Sequence, residues 1–194
     1  MAGNKVSGDW KWITGILFAV LVLTLSYGVI YFAYQQILRQ GANDPQVQMA
    51  EDYSEQLSSG ESLSIFTGLK LVDIDKSLSP YVMVYDNTGT LKFSSARFNG
   101  NVPTIPAGVL EYTRSHVEDR VTWQPSVGVR QAIVVKYYKG NNNGFVVAGR
   151  SLREVEIREN NLTKQLFFLW IISVVIIILA ELLSKKIVFT KNKR

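Results

Sequence analysis

The chain has no cysteine and a single histidine, His116, among its 194 residues. Without thiols there is no disulfide, no thiolate nucleophile and no cysteine-ligated metal, so a folded domain has to be held by its core alone. One imidazole assembles neither a histidine metal set nor a Ser/His/Asp arrangement, and no nucleophile motif or glycine-rich phosphate loop is present. The common routes to catalysis are thereby excluded, and no enzymatic activity, cofactor or metal site is expected. His116 falls near the end of a short predicted helix, where an ordinary surface residue is the simpler reading. Asp73 and Asp75 are spaced to share a strand face as a cation site would require, but with no further acids clustered near them a solvated edge or turn accounts for them.

Charge is also missing from two long stretches. Trp12 to Tyr34 is a run of 23 residues with none, and Gln165 to Ala180 a run of 16, extended by Leu182 and Leu183 beyond Glu181. A helix needs roughly 20 apolar residues to cross a hydrocarbon core, so two transmembrane helices are expected, residues 12–34 and 166–184. The first exceeds the apolar length of a cleaved signal, and Trp10 and Trp12 at one end with Tyr31 and Tyr34 at the other suit an anchored span. Between the runs Lys plus Arg and Asp plus Glu are equal, at 14 each, so the formal net charge of +5 lies wholly in the two ends. Basic residues flanking spans stay on the cytoplasmic side. Cytoplasmic tails are therefore expected at residues 1–11 and 185–194, with residues 35–165 outside. The basic balance is then a topology signal with some attraction to anionic lipid, and no nucleic-acid partner is expected.

Within residues 35–165 the first helix is expected to run on through Gln40 and break at Gly41, with Asn43-Asp44-Pro45 starting a second helix to about Leu57. Val47, Ala50, Tyr53 or Ser54, and Leu57 form its apolar stripe. Glu61 to Gly68 is a candidate short helix. Tyr81 to Asp86 and Thr90 to Ser95 read as a hairpin closed by Asp86-Asn87-Thr88-Gly89. A loop follows from Phe98 to Pro106, then a helix from Ala107 to His116 with Val109, Tyr112 and His116 on one face. Three more strands are expected at Asp119 to Gln124, Val127 to Tyr138 after a Pro125-Ser126 turn, and Gly144 to Gly149 after the polar tip Lys139 to Asn143. Five strands with an inserted helix and a long helical lead-in predict an α+β domain with an antiparallel sheet.

This layout, with the strand pair YVMVYDNTGTLKFSS, resembles the extracytoplasmic PAS-like sensor domains called Cache or PDC, found in bacterial histidine kinases and chemoreceptors. The resemblance covers roughly residues 35–165. It implies a sheet in the order second, first, fifth, fourth, third strand, with Gly144 to Gly149 central. It also implies a pocket between the sheet and the helix and loop that cross it, in the cytoplasmic membrane of a bacterium. Tyr85, Arg97, Trp123, Tyr137 and Arg150 have the residue types and positions to line such a pocket for a small-molecule ligand. The plain alternative is that the aromatics fill the core and the arginines face water. The chain departs from those receptors after the second span, where ten residues follow Ser184 and no output domain is expected.

The most regular pattern is an alternation of three and four steps through Leu152, Val155, Glu159, Leu162, Leu166, Leu169, Ser173, Ile176, Ala180 and Leu183. It is the seam of a coiled coil, carried outside the apolar run by Leu152, Val155 and Leu162. A second copy of the chain, or the helix from the first span, would satisfy it. The expected function is a membrane-anchored sensor that passes a signal through its second span to a partner. A non-enzymatic accessory subunit of a membrane complex, and a truncated histidine kinase, are the alternatives.

Overall fold

The computed structural model describes residues 3–41 and 44–191; the helix cap expected at Asn43 lies outside the described residues. Among the described residues the fold is mixed α+β, with four α-helices and a five-stranded antiparallel sheet. The chain divides into two units, Leu38–Ile157 and the remainder.

The sheet unit contains α2 (Asp44–Ser58), a 3-10 turn (Leu63–Phe66), β1 (Val72–Asp73), β2 (Tyr81–Asp86), β3 (Leu91–Ser94), β4 (Ala96–Arg97), α3 (Ala107–His116), β5 (Glu118–Ser126), β6 (Val129–Tyr138) and β7 (Gly144–Ser151). The five long-range strands lie in the order β3-β2-β7-β6-β5, which is the order expected, and β1 pairs parallel with β4. The ladder aligns Tyr81 with Gly149 and Gly149 with Ile133.

Alternation sorts the strand residues onto two faces. Tyr81, Met83, Tyr85, Ile133, Val135, Phe145 and Val147 pack with Val72, Ile74, Ile105 and Leu110, beneath β1, β4 and α3. Val82, Val84 and Val146 pack with Leu57 and Phe66 on the other side, where Ala50 meets Val134 and Ala148. Each large apolar side chain buried in this way contributes about 1.5–3 kcal/mol over leaving it in water. Ala50, Ser54 and Leu57 supply the buried stripe of α2, and Tyr53 is the half-buried neighbour whose ring tilts against Phe66 with centroids 4.8 Å apart.

Two local expectations need correction. The β5–β6 hairpin turns at Val127-Gly128, not at Pro125-Ser126: Ser126 pairs with Val129, and Gly128 has φ of +81°. Pro125 sits inside β5, at a register shift on the outer strand of the sheet, where a missing N–H is tolerated. In α3 the buried residues are Leu110 and Thr113, while Tyr112 and His116 are exposed and stack on each other with centroids 3.9 Å apart. Thr113 can be buried because its hydroxyl donates to the carbonyl of Val109 at 2.8 Å.

The second unit holds most of α1 (Gly3–Gly41) and of α4 (Arg153–Lys191), each 39 residues. Both are long and apolar enough to cross a membrane. From Trp12 to Gln35 and from Glu159 to Lys185 the two helices pair antiparallel. The Trp170 indole N–H donates to Thr24 at 3.0 Å, the Tyr27 and Ser173 hydroxyls are 3.2 Å apart, and the Gln35 amide donates to Glu159. The Lys185 ammonium lies 4.5 Å from the centroid of the Trp12 ring. Leu162 and Leu166 are half-buried. Beyond them the contact line moves to Trp170, Ser173, Ile177 and Glu181, leaving Leu169, Ile176, Ala180 and Leu183 exposed. A repeat of 3.5 drifts by about 20° per heptad against a straight helix of 3.6 residues per turn, so the regular seam leaves the interface.

Gly149 is, with Gly144, one of the two tightest points of the sheet. A Cβ on Gly149 would meet Cζ of Tyr81 at 2.3 Å, and the Tyr81 ring, 1% exposed, has no room to swing aside. Gly149→Ala is expected to destabilise the domain by about 3 kcal/mol or more, the upper end of ordinary overpacking, read by urea unfolding of the full chain in detergent. Unfolding at the wild-type urea concentration would show that the ring moves freely.

Candidate functional site

Three of the five pocket candidates belong to one face of the sheet. Tyr85 and Trp123 are buried in the core beneath β1, β4 and α3, and Tyr137 packs at its border. The Tyr85 hydroxyl accepts the N–H of Ile105 at 3.4 Å, and burial raises its phenol above the ordinary range, opposed by that hydrogen bond. Tyr137 tilts against Phe145, with centroids 5.0 Å apart, and its hydroxyl donates to Oδ1 of Asn87 at 2.9 Å. The two arginines are tied to backbone. Arg97 donates to the carbonyls of Ser94 at 3.0 Å and Ala96 at 2.7 Å, and Arg150 donates through Nε to the carbonyl of Leu78 at 2.9 Å.

These five do not line one cavity. A groove of about 750 Å³ opens on the α2 side of the sheet, between the end of α2, the β2–β3 turn and the β6–β7 tip. Val84, Leu57 and Tyr138 form its apolar part, and Glu61, Lys92 and Asn141 to Asn143 are among its polar lining. A second groove of about 540 Å³, between α2 and the end of β6, includes Tyr137; the other four candidates line neither. The first groove escapes a sequence reading because its walls come from distant segments, each of which reads on its own as turn chemistry.

Asp86 fixes the wall of that groove. Its Oδ1 accepts the N–H groups of Thr88 and Thr90, each at 2.9 Å, and the Thr88 hydroxyl at 2.6 Å, while Oδ2 is 2.9 Å from the Lys92 ammonium. The Thr88 hydroxyl first, then Lys92 and the Thr90 N–H, hold the carboxyl well below the usual carboxylate range. Burial, aided by the Asp86 charge, raises the neighbouring Tyr138 phenol.

At the opposite end of β7 the chain enters α4 across Leu152 alone. The buried Ser151 hydroxyl accepts the N–H of Arg153 at 3.3 Å, and the N–H of Leu152 donates to the carbonyl of Arg130 at 2.9 Å. Arg130 also pairs with Glu156 at 2.6 Å. Glu154 and Glu156 place negative charge in the first turn of α4, where the helix dipole favours it. Leu152 and Val155, the outer members of the predicted seam, are half-buried here. Asp73 and Asp75 belong to a turn in which Oδ1 of Asp73 accepts the N–H of Asp75 at 3.1 Å, and no metal-binding cluster occurs among the described residues.

No family model, curated protein or solved structure matches this chain.

The carboxyl of Asp86 has a lower pKa folded than unfolded, so it contributes stability that is fully present above the unfolded carboxylate value, about 4. That contribution is lost as the pH falls through the lower folded value. Asp86→Asn should therefore melt below the wild type at neutral pH, with the gap narrowing once the pH drops under about 4. Thermal melts across that range check this, and a gap independent of pH would assign the loss to something other than the charge.

Proposed function

We propose that this chain is a membrane-anchored sensor module, with residues 35–165 forming an extracytoplasmic PAS-like domain of the Cache type. The two apolar helices span the cytoplasmic membrane of a bacterium, both termini are cytoplasmic, and a signal leaves through the second span to a separate partner. The observation that carries this reading is the run of β7, the middle strand of the sheet, into α4 across one residue. A ligand or protein bound more tightly by one position of β7 than by another shifts the start of α4 by that difference in affinity. The orientation rests on charge, since the whole formal excess of +5 lies outside the segment between the spans.

A second reading is favoured by the fate of the pocket candidates. Tyr85 and Trp123 are core residues, the two arginines hold backbone, and both grooves open at the surface. Those features suit a non-enzymatic accessory subunit whose domain binds protein. Crosslinking in native membranes separates the readings: a fixed heteromeric partner supports the subunit, and self-association with thermal stabilisation by a metabolite supports the sensor.

The lack of cysteine makes topology directly testable. Val127 is 94% exposed at a hairpin tip, and Lys186 is exposed at the far end of the second apolar stretch. A single cysteine at Val127 should react with an impermeant maleimide in intact cells, and one at Lys186 only after permeabilisation. The reverse pattern would invert the proposed orientation, and equal labelling of both in intact cells would remove the membrane from the reading.

A further inference from the structure

Between β1 and β2, four successive or near-successive carbonyls are taken by side chains from the region where the sheet becomes α4. The carbonyl of Ile74 accepts Nε2 of Gln131 at 2.9 Å, and that of Leu78 accepts Nε of Arg150 at 2.9 Å. The carbonyls of Asp75 and Lys76 accept the two terminal nitrogens of Arg153, at 3.0 and 2.8 Å. Arg153 is the first residue of α4. The segment is shaped before it is gripped: Ile74 donates to the carbonyl of Arg97 at 2.9 Å and Ser77 to that of Asp73 at 2.8 Å. On its other side the first turn of α4 is held by Arg130, through the Leu152 N–H and Glu156.

We propose that residues 74–78 are a releasable clasp on the first turn of α4, with Arg153 as its positioning residue, and that opening this clasp is the change the domain transmits. This rests on the sensor reading above. The chemistry fits a clasp better than a static cap. A guanidinium fork spans two adjacent carbonyls in one fixed geometry, which a lysine ammonium does not reproduce. The closed arrangement also carries a cost beneath it. Gln131 and Tyr81 are buried on the face of the sheet that Ile74 covers, yet Oε1 of Gln131 and the hydroxyl of Tyr81 have no hydrogen-bond partner in the protein. The Tyr81 ring lies over Gly149, one position along β7 from the Arg150–Ala132 pair and diagonal to the Gln131–Ser151 pair. Both atoms become open to water if the clasp lifts, which opposes the four carbonyl contacts and the burial of Ile74, and the balance is one that a bound effector can tip.

The test is hydrogen exchange of the full chain in phospholipid nanodiscs, without ligand, followed in peptides covering residues 74–79 and 152–158. Arg153→Gln should speed exchange in both peptides by about tenfold or more, while β2 and β6 stay protected. Arg153→Lys should fall between it and the wild type. Tyr81→Phe touches none of the clasp contacts but removes one unpaired atom, so it should slow both peptides; a purely structural role for this region predicts no such opposite sign. Wild-type exchange in Arg153→Gln, or acceleration in Tyr81→Phe, overturns the clasp. If Arg153→Gln loses protection throughout the sheet, Arg153→Lys and Tyr81→Phe decide the question alone. A clasp that behaves as expected but never responds to metabolites or membrane partners overturns the sensor reading and leaves the clasp standing.

Discussion

Strand β7 is apolar on both faces and hydrogen-bonded on both edges, to β2 and to β6. A strand in that position requires a layer on each side, which is why α2 and the 3-10 turn close one face while β1, β4 and α3 close the other. Small residues follow from the same constraint. Gly149 exists because the Tyr81 ring crosses β7 there, and Ala148 on the opposite face leaves room for Ala50 of α2. With its edges and faces all occupied, β7 can communicate with its surroundings chiefly through its ends, the grooved tip before Gly144 and the junction after Ser151.

What the sequence made legible was local or periodic. Asp86-Asn87-Thr88-Gly89 is a turn because one carboxylate collects the N–H groups of the residues that follow it, and no distant contact is needed to form it. The polar tip Lys139 to Asn143 sets the expected start of the strand at Gly144 to Gly149, its central place coming only through the resemblance, and α3 begins and ends where its composition says. The failures are places where tertiary context decided. Thr113 is buried because its own helix satisfies its hydroxyl, so a polar residue took a core position that the pattern gave to Tyr112. Pro125 marks a turn in isolation, yet the outer strand accommodates it. Tyr85, Trp123, Arg97 and Arg150 show the larger difficulty: residue type on a half-buried strand is the same whether a side chain lines a pocket, fills a core or holds a carbonyl.

The paired helices follow different logic. Their outward residues are almost uniformly apolar, so hydrophobicity alone does not select which faces meet. The polar side chains supply that choice: Thr24 meets Trp170, Tyr27 meets Ser173 and Gln35 meets Glu159. In the membrane placement proposed above no water competes for the Thr24–Trp170 and Tyr27–Ser173 pairs, and hydrogen bonds between helices fix rotation and register while lipid covers the rest; the Gln35–Glu159 pair lies just outside the spans. Trp170 enters the interface because its indole finds Thr24, and the regular leucine spacing is overruled from that point.

The two ends of the sheet also differ in how completely their polar groups are used. At the grooved end, Asp86 has both carboxylate oxygens engaged by three residues and Tyr137 is anchored to Asn87, with the buried Ser54 hydroxyl beside the second groove left without a partner in the protein, so this end has less to gain by rearranging. At the α4 end the contacts are more numerous, but two buried polar atoms have no partner in the protein, each a cost of about 1–3 kcal/mol where water does not reach it. That cost is of the same order as the hydrogen bonds that hold Arg153 in place. A two-state element needs competing terms of this kind, comparable in size and opposite in sign, because a strongly favoured state cannot be displaced by the differential affinity of an ordinary ligand. The sheet therefore combines a fixed end with a poised one, joined by a strand too confined to move except along its own axis or by tilting, and the poised end is the one that begins α4.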